Sequence, residues 1–453
     1  MTSLHHPQLS GLGRNPAAPE DVLVRLAAHE AGRHGLSRRR GRLADAVAEA
    51  MLAHGDDSTA VLLHGERISP AIRRRIAEHP VPAIRDAFTN FVREMVDCGA
   101  GLPIAALEEG YGRARTALVG APNAKLRAAV AQAWYDRPLA VQAKLLADPD
   151  PAVRAAATFH RQPGVPPEWR DRCLADPAVR ANVASYVPLT PDQFAQLMRC
   201  EDERVHRAVA GNPHLTAEMV ARFLDVEDPQ VRVVMARSRH VDDATRHRLY
   251  ALVEAQCAAG SIEAEVALHW NSAEPQWLRE APLDERIAYL DSPFTIFRYV
   301  LATCRDLPEE AWRRLDADPE LRVRQAAARR PDTPPEVLER LVRAHGDVFH
   351  VRPLLVDHPN FPRHALRTFV DEPSPEVRYV ALQDPELPVA ALRRLAEAAE
   401  SLLHRGVAQH PNVTDALLER LLSAPDPEVV DAAAANSALP SARMHRILTV
   451  AGL

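Results

Sequence analysis

The chain has 453 residues, 47% of them hydrophobic and 26% charged, with a formal net charge of −6 at pH 7. This is longer than one compact core normally serves, and the acidic balance argues against generic polyanion binding, which needs a net basic surface that releases counterions. No stretch approaches the roughly 20 apolar residues of a membrane span, and residues 1–30 hold no apolar segment of signal-peptide length, so a cytoplasmic protein with no membrane contact is expected. The five cysteines, Cys98, Cys173, Cys200, Cys257 and Cys304, are never closer than 27 residues, which gives no metal-ligand spacing and reads as incidental thiols in a reducing compartment. Lysine occurs only at Lys125 and Lys144; the dominance of arginine and alanine points to a GC-rich bacterial genome.

The chain is organised by a Val-Arg step that returns every 26 residues, at Val153-Arg154, Val179-Arg180, Val205-His206 and Val231-Arg232, and again at Val351-Arg352, Val377-Arg378, Leu403-His404 and Val429-Val430. A fixed period of this size marks units that cannot bury their apolar faces alone and must stack on their neighbours. With the Val of each step as position zero, the expected elements follow in chain order.

Residues 1–57 form an N-terminal cap and half repeat: Asn15-Pro16-Ala17-Ala18-Pro19 through Leu23 and Leu26 matches His410-Pro411-Asn412-Val413-Thr414 through Leu418 and Leu421 position for position, so the sequence starts in mid-repeat. Residues 58–122 hold two weak zero positions, Ser58 and Ile84, and then an insertion. Regular repeats over 123–240 have zero positions at Leu126, Val153, Val179, Val205 and Val231. Residues 241–300 hold irregular repeats at Ile262 and Phe297, and regular repeats resume over 301–453, from Val323 to a C-terminal cap.

Within a unit, the residue three before zero is a helix N-cap (Asp150, Asp176, Asp202, Asp228, Ser374, Asp426), usually followed by proline at the first helical position. Five residues after zero stands an alanine (Ala184, Ala210, Ala236, Ala302, Ala328, Ala408, Ala434), small enough for neighbouring helices to approach closely. The turns Asn212-Pro213, His358-Pro359 and His410-Pro411 close this first helix. Thr or Pro eleven residues after zero, as in Thr190, Thr216, Pro308, Pro334, Pro362, Pro388, Thr414 and Pro440, opens a second helix, whose core stripe follows at fifteen and eighteen, from Phe194/Leu197 to Met444/Ile447. The predicted fold is all-α: a solenoid of about fourteen two-helix repeats of about 26 residues each.

The motif around Asn412 to Val429, a [His/Asn]-Pro-x-[Leu/Val]-[Pro/Thr]-x-x-x-Leu-x-x-Leu run followed by Asp-Pro-x-Val-Arg and an alanine-rich stretch, resembles the leucine-rich repeat variant family over roughly residues 15–453. The resemblance implies a right-handed α-α superhelix in which α-helices alternate with shorter, 3₁₀-type helices, related in shape to HEAT and armadillo arrays. A founding type of that family carries an N-terminal cysteine cluster for an iron–sulfur centre; residues 1–97 contain no cysteine, so that cofactor is not carried over and none is expected.

Three columns are candidates for function. The arginines Arg127, Arg154, Arg180, Arg232, Arg298, Arg324, Arg352 and Arg378 form a ladder that would suit phosphates or carboxylates. In several repeats, however, the cap Asp lies four residues earlier, an intrahelical pairing distance, so the ladder reads as a structural one that satisfies caps and neighbouring repeats. The position seven after zero (His160, Asn212, His269, His358, His410, Asn436) has the look of a metal stripe, but reads better as helix-end capping. The third candidate is where the period fails, with spacings of 42 between Ile84 and Leu126, 31 between Val231 and Ile262, and 35 between Ile262 and Phe297. The first break holds Gly99-Ala100-Gly101, Glu108, Glu109, Tyr111 and Gly112; the others hold His269, Trp270, Asn271, Trp277, Glu280 and Asp284. Insertions in solenoids map to one face, and Tyr and Trp are typical interface anchors. Partner binding is therefore expected at Tyr111, His269, Trp270, Asn271 and Trp277.

The functional expectation is a non-enzymatic scaffold for a protein or peptide partner, with no metal and no catalytic residue. The rival is a nucleic-acid-binding protein, or an enzyme resembling the HEAT-like DNA glycosylases, with Trp270, Trp277 and Asp284 as the nearest candidates. The acidic balance disfavours it, and the arginine runs Arg38-Arg39-Arg40 and Arg73-Arg74-Arg75 stand isolated near the N-terminus.

Overall fold

The structure is a computed structural model that describes residues 5–55, 57–63, 68–159, 161, 163–269, 274–347 and 354–453. His160, Trp270, Asn271, Val351 and Arg352 lie outside the described residues. Among the described residues every regular element is helical, and they pack as two compact units, Met1–Phe88 with Arg324–Leu453, and Thr89–Val323.

Each regular repeat forms because its two helices are punctuated at both ends. Asp150, Asp202, Asp228 and Asp426 accept hydrogen bonds from the backbone N–H two residues on, at 2.8, 3.0, 2.8 and 2.8 Å, and Ser374 accepts from Val377 N at 3.4 Å. These caps open the helices Pro151–Thr158, Glu203–Ala210, Pro229–Ala236, Pro427–Ala434 and Pro375–Ala381. Thr190, Thr216 and Thr414 cap second helices in the same way, and Thr190 forms a reciprocal capping box with Gln193. The core stripe is buried: Phe223, Leu338, Phe369, Leu392 and Leu418 are at most 1% exposed, and so are the contact alanines Ala184, Ala236, Ala302, Ala328, Ala408 and Ala434.

The structure corrects three local expectations. Asp176 does not open an α-helix at once: it accepts from Ala178 N at 3.0 Å, and the helix Arg180–Ala184 begins only after Val179, whose φ of −124° departs from helical values. Ser58 is exposed, and the core there is built from Thr59, Ala60 and Leu63. Ile262 is 75% exposed, because the helix Ile262–His269 turns Ala264 and Ala267 inward against Val233 and Val253. As for the second helices, most are α-helical; the 3₁₀ form is confined to a few elements, the longest being Arg363–Asp371.

What joins one repeat to the next is the column seven residues after zero. Asn212 Nδ2 donates to the carbonyls of Ala184 and Val187, 28 and 25 residues earlier, both at 2.7 Å, while its Oδ1 accepts from His214 N at 2.8 Å. Asn436 repeats this on Ala408 and His410, at 2.7 and 3.0 Å. His410 and His358 make a one-donor version: Nε2 reaches the carbonyls of Asp384 and Arg330 at 2.8 Å, and Nδ1 accepts from the N–H two residues on at 3.1 Å. Because Nδ1 accepts, the proton sits on Nε2, and both ring nitrogens are engaged within the fold. These side chains are 8% exposed or less, and each adds a donor to carbonyls at or just past the end of the preceding first helix, of which Asp384 O and Arg330 O also accept from Leu387 N and Thr333 N at 3.0 and 3.2 Å.

In the first unit the same clamp is made by Asn15. Its Nδ2 donates to Ala434 O at 2.9 Å and Asn436 O at 2.6 Å, and its Oδ1 accepts from Ala17 N at 2.9 Å. The N-terminal half repeat thus stacks on the repeat of Val429 as that repeat stacks on its own predecessor. Arg25 Nη2 donating to Leu453 O at 2.6 Å and Gln8 Nε2 donating to Leu422 O at 3.0 Å hold it there.

Replacing Asn436 with Ala should cost about 1–3 kcal/mol, since Ala408 O loses its side-chain donor and His410 O keeps only Val413 N, and Asn436→His should recover part of that by restoring one donor. Urea unfolding midpoints at constant m-value check the order wild type, then Asn436→His, then Asn436→Ala.

Candidate functional site

The arginine ladder is engaged within the repeat frame, though not by the cap Asp of its own helix. Arg127 donates from Nε and Nη2 to Asp148, 21 residues later, at 2.7 and 2.8 Å, and from Nη1 to the carbonyls of Ala121 and Pro122. Arg154 grips Asp176 in the same fork at 2.6 and 3.3 Å, and Arg298 grips Asp318 at 2.7 and 3.3 Å. Arg180 and Arg232 donate to the carbonyls of Leu174 and Val226 at 2.8 and 3.0 Å; Arg378 reaches Glu400 at 3.0 Å and Arg324 lies 3.3 Å from His345. The intrahelical pairing expected from the four-residue spacing is replaced by pairing with the next repeat, because the side chain points back over the preceding turn and its guanidinium meets the carboxylate that follows. The Arg127 and Arg154 side-chain hydrogen bonds hold Asp148 and Asp176 below the ordinary aspartate range.

Irregularity is concentrated between Val231 and Phe297. A 16-residue helix, Asp243–Ala258, follows the repeat of Val231 directly, so the carbonyls at the end of the helix Pro229–Ala236 find other donors than an Asn or His of a regular follower. Arg246, 1% exposed, supplies them, donating to Ala236 O at 2.7 Å and Val241 O at 3.0 Å. Trp277 supplies another, its Nε1 donating to Arg237 O at 2.9 Å. The Trp277 ring packs edge-on against Tyr289, with centroids 5.5 Å apart, and lies 6.4 Å from Phe297; the Arg246 guanidinium sits 4.7 Å from the Phe297 ring centre. Trp277 is therefore half-buried and fixed rather than a free anchor.

It is among the residues lining a cleft of about 550 Å³ in the second unit, together with Asn212 and Pro213 and with Arg161, Arg239 and His240. The Arg239 guanidinium lies 5.9 Å from the Trp277 ring centre, within cation–π range. Glu274, the carboxylate in the lining, is paired with Arg279. Asp284 and Tyr111 do not line the cleft. Tyr111 is half-buried with the Arg93 guanidinium 6.0 Å from its ring centre, and burial raises its pKa. His269 is exposed at the end of the helix Ile262–His269, and Trp270 and Asn271 lie outside the described residues. The structure thus gives Trp277, of the residues singled out in the sequence, a cleft. Arg161, Arg239 and His240 were missed because nothing in the period marks them; their only signal is a position just past the end of a first helix.

Among the described residues no group of His, Cys, Asp and Glu is arranged to hold a metal ion, and burial pushes the Cys173 thiol up to about 11. No helix among the described residues is long and apolar enough to cross a membrane.

The class defined by these features is an all-α helical repeat protein. Residues 376–437 match the model of the Leucine Rich Repeat Variant domain and residues 321–345 that of the leucine rich repeat variant, so the C-terminal region carries repeats of this kind. No curated protein matches the chain in sequence. Among solved structures, the crystal structure of an engineered protein aligns at 14% identity over 95% of this chain and 98% of its own, with a TM-score of 0.18, too low to bear on the fold.

Replacing Asp148 or Asp176 with Asn should lower stability at pH 7 by about 1–3 kcal/mol. Because the folded pKa of each lies below its unfolded value, the unfolded chain binds more protons as pH falls beneath about 4, and the stabilisation present above that pH is lost there. The gap between wild type and each Asn variant should therefore narrow below pH 4, as read from urea unfolding at pH 7 and pH 3.5.

Proposed function

We propose that the chain is a non-enzymatic scaffold that binds a protein or peptide partner through the Trp277 cleft, with the arginine ladder belonging to the frame rather than to the site. The observation that carries this reading is the fixed, half-exposed indole in a cleft also lined by arginines, one of them 5.9 Å from its ring centre, the composition that supplies binding energy at protein interfaces. A tryptophan held by its own N–H bond and by edge packing loses little conformational freedom when a partner covers it. Helical repeats of this type are generally protein-interaction scaffolds, which agrees with the assignment. Tyr111, His269, Trp270 and Asn271 remain proposed contributors to the partner surface, by their place in the two insertions. A glycosylase would need a carboxylate beside the cleft aromatic; Glu274 is held by Arg279 and Asp284 lies elsewhere.

In affinity purification, the tagged full-length chain should recover a stoichiometric partner, which Arg239→Glu and Trp277→Ala should each weaken at least about tenfold. Arg239 is exposed, so the Arg239→Glu protein should unfold at the wild-type temperature. Unchanged capture by both variants, or release of alkylated bases from duplex DNA by the pure protein, would sink the scaffold assignment.

A further inference from the structure

We propose a second site, unrelated to the Trp277 cleft: the cleft where the N-terminal half repeat meets the repeat of Val429 binds a small oligophosphate through Arg14, Arg38, Arg39 and Arg40. The Arg38-Arg39-Arg40 run seemed isolated in the sequence, but the fold gives it company. The helices His5–Arg14 and Glu30–Ser37 cross at glycines: a Cβ on Gly13 would lie 2.6 Å from Leu36 N, and one on Gly35 would lie 2.1 Å from Ser10 O. Only that close approach brings the last residue of the first helix, Arg14, beside the loop that follows the second.

The resulting cleft, about 490 Å³, is lined by Arg14, Arg38, Arg39 and Arg40 on one side and by Gln409 and Ser437 among others on the other, with no carboxylate among its lining residues. Arg39 is already committed, donating to Asn15 O and, at 3.1 Å, to Pro16 O, so the carbonyls at the end of the first helix are covered and the loop is braced with Arg38 and Arg40 on either side. The Arg38 and Arg40 side chains are exposed and make no hydrogen bond or ion pair among the described residues. Arg14 spends Nη2 on Asp431, while its buried Nε has no partner. Burial first, then the charges of Arg38 and Arg405, lower the Arg14 pKa.

In a chain of net charge −6, so many guanidinium groups held together against their own repulsion fit an anion with several charged oxygens. Guanidinium forks match phosphate oxygens two at a time. The volume suits a di- or triphosphate group rather than a duplex or a bilayer.

The probes are inorganic pyrophosphate and triphosphate, titrated calorimetrically into the full-length protein at fixed ionic strength, with chloride and sulfate as controls. Both phosphates should bind, and the unfolding temperature should rise with their concentration, since ligand held by both segments favours the folded state. The double variant Arg38→Ser/Arg40→Ser should weaken binding at least about tenfold while leaving the unliganded protein at least as heat-stable as wild type. Gln409→Glu, which adds a carboxylate to the cleft without touching an arginine, should weaken it as well. Equal binding by wild type and both variants, heats no larger than those of the chloride and sulfate controls, or binding to duplex DNA or anionic phosphatidylserine vesicles with none to pyrophosphate, would each overturn the proposal.

Discussion

The structure depends on one constraint: a short helix ends with carbonyl groups that have no partner within it, and in a stack of short helices those ends are buried. Several repeats resolve this by lending a side chain to the predecessor. Asn212, His358, His410, Asn436 and Asn15 all reach back to carbonyls 25 to 28 residues away or, for Asn15, to the last regular repeat in the sequence. Asn and His each combine a donor for the distant carbonyl with an acceptor for the N–H two residues on, in a short side chain. Because an unmade buried hydrogen bond costs more than a made one contributes, the clamp specifies which repeat follows which as much as it adds to stability.

The same constraint explains the irregular region. Where the helix Asp243–Ala258 interrupts the period, the orphaned carbonyls of the repeat of Val231 recruit Arg246 and Trp277. Both bring large side chains, and the aromatic packing of Trp277, Tyr289 and Phe297 grows around them. A cleft walled by an aromatic ring is thus a by-product of breaking the period. Arg137 plays a similar part earlier in the second unit: 2% exposed, it donates to Ala131 O, Trp134 O and Ala157 O, each at 2.7 Å, and burial lowers its pKa to about 10.

The repeat frame was legible because its signals are local. An Asp or Ser before proline, a Thr before an apolar i, i+3 pair, and an alanine five residues after the Val each act within one or two helical turns, and the structure places them as caps, core and contacts. The ladder partner was only half legible, for the converse reason. Asp150 and Arg154 are close in sequence, yet Arg154 takes Asp176, because the nearest carboxylate in space belongs to the next repeat. The candidate site was only partly legible: Trp277 stood out as a large aromatic in an insertion, whereas Arg161 and Arg239 carry no signature until the turns around them are brought together.

The sequence by itself determined that this is an all-α repeat array, where its helices start and stop, which residues form its core, and where its period breaks, since periodicity, caps and turn prolines are properties of neighbouring residues. Only the tertiary structure decided that Asn15 clamps the repeat of Val429, that Arg14 stands with Arg38, Arg39 and Arg40, and that Trp277 is tied to Arg237. Those contacts join residues from 24 to more than 400 positions apart, and what brings them together is the burial of helix ends and the close approach of glycines, which no local pattern encodes.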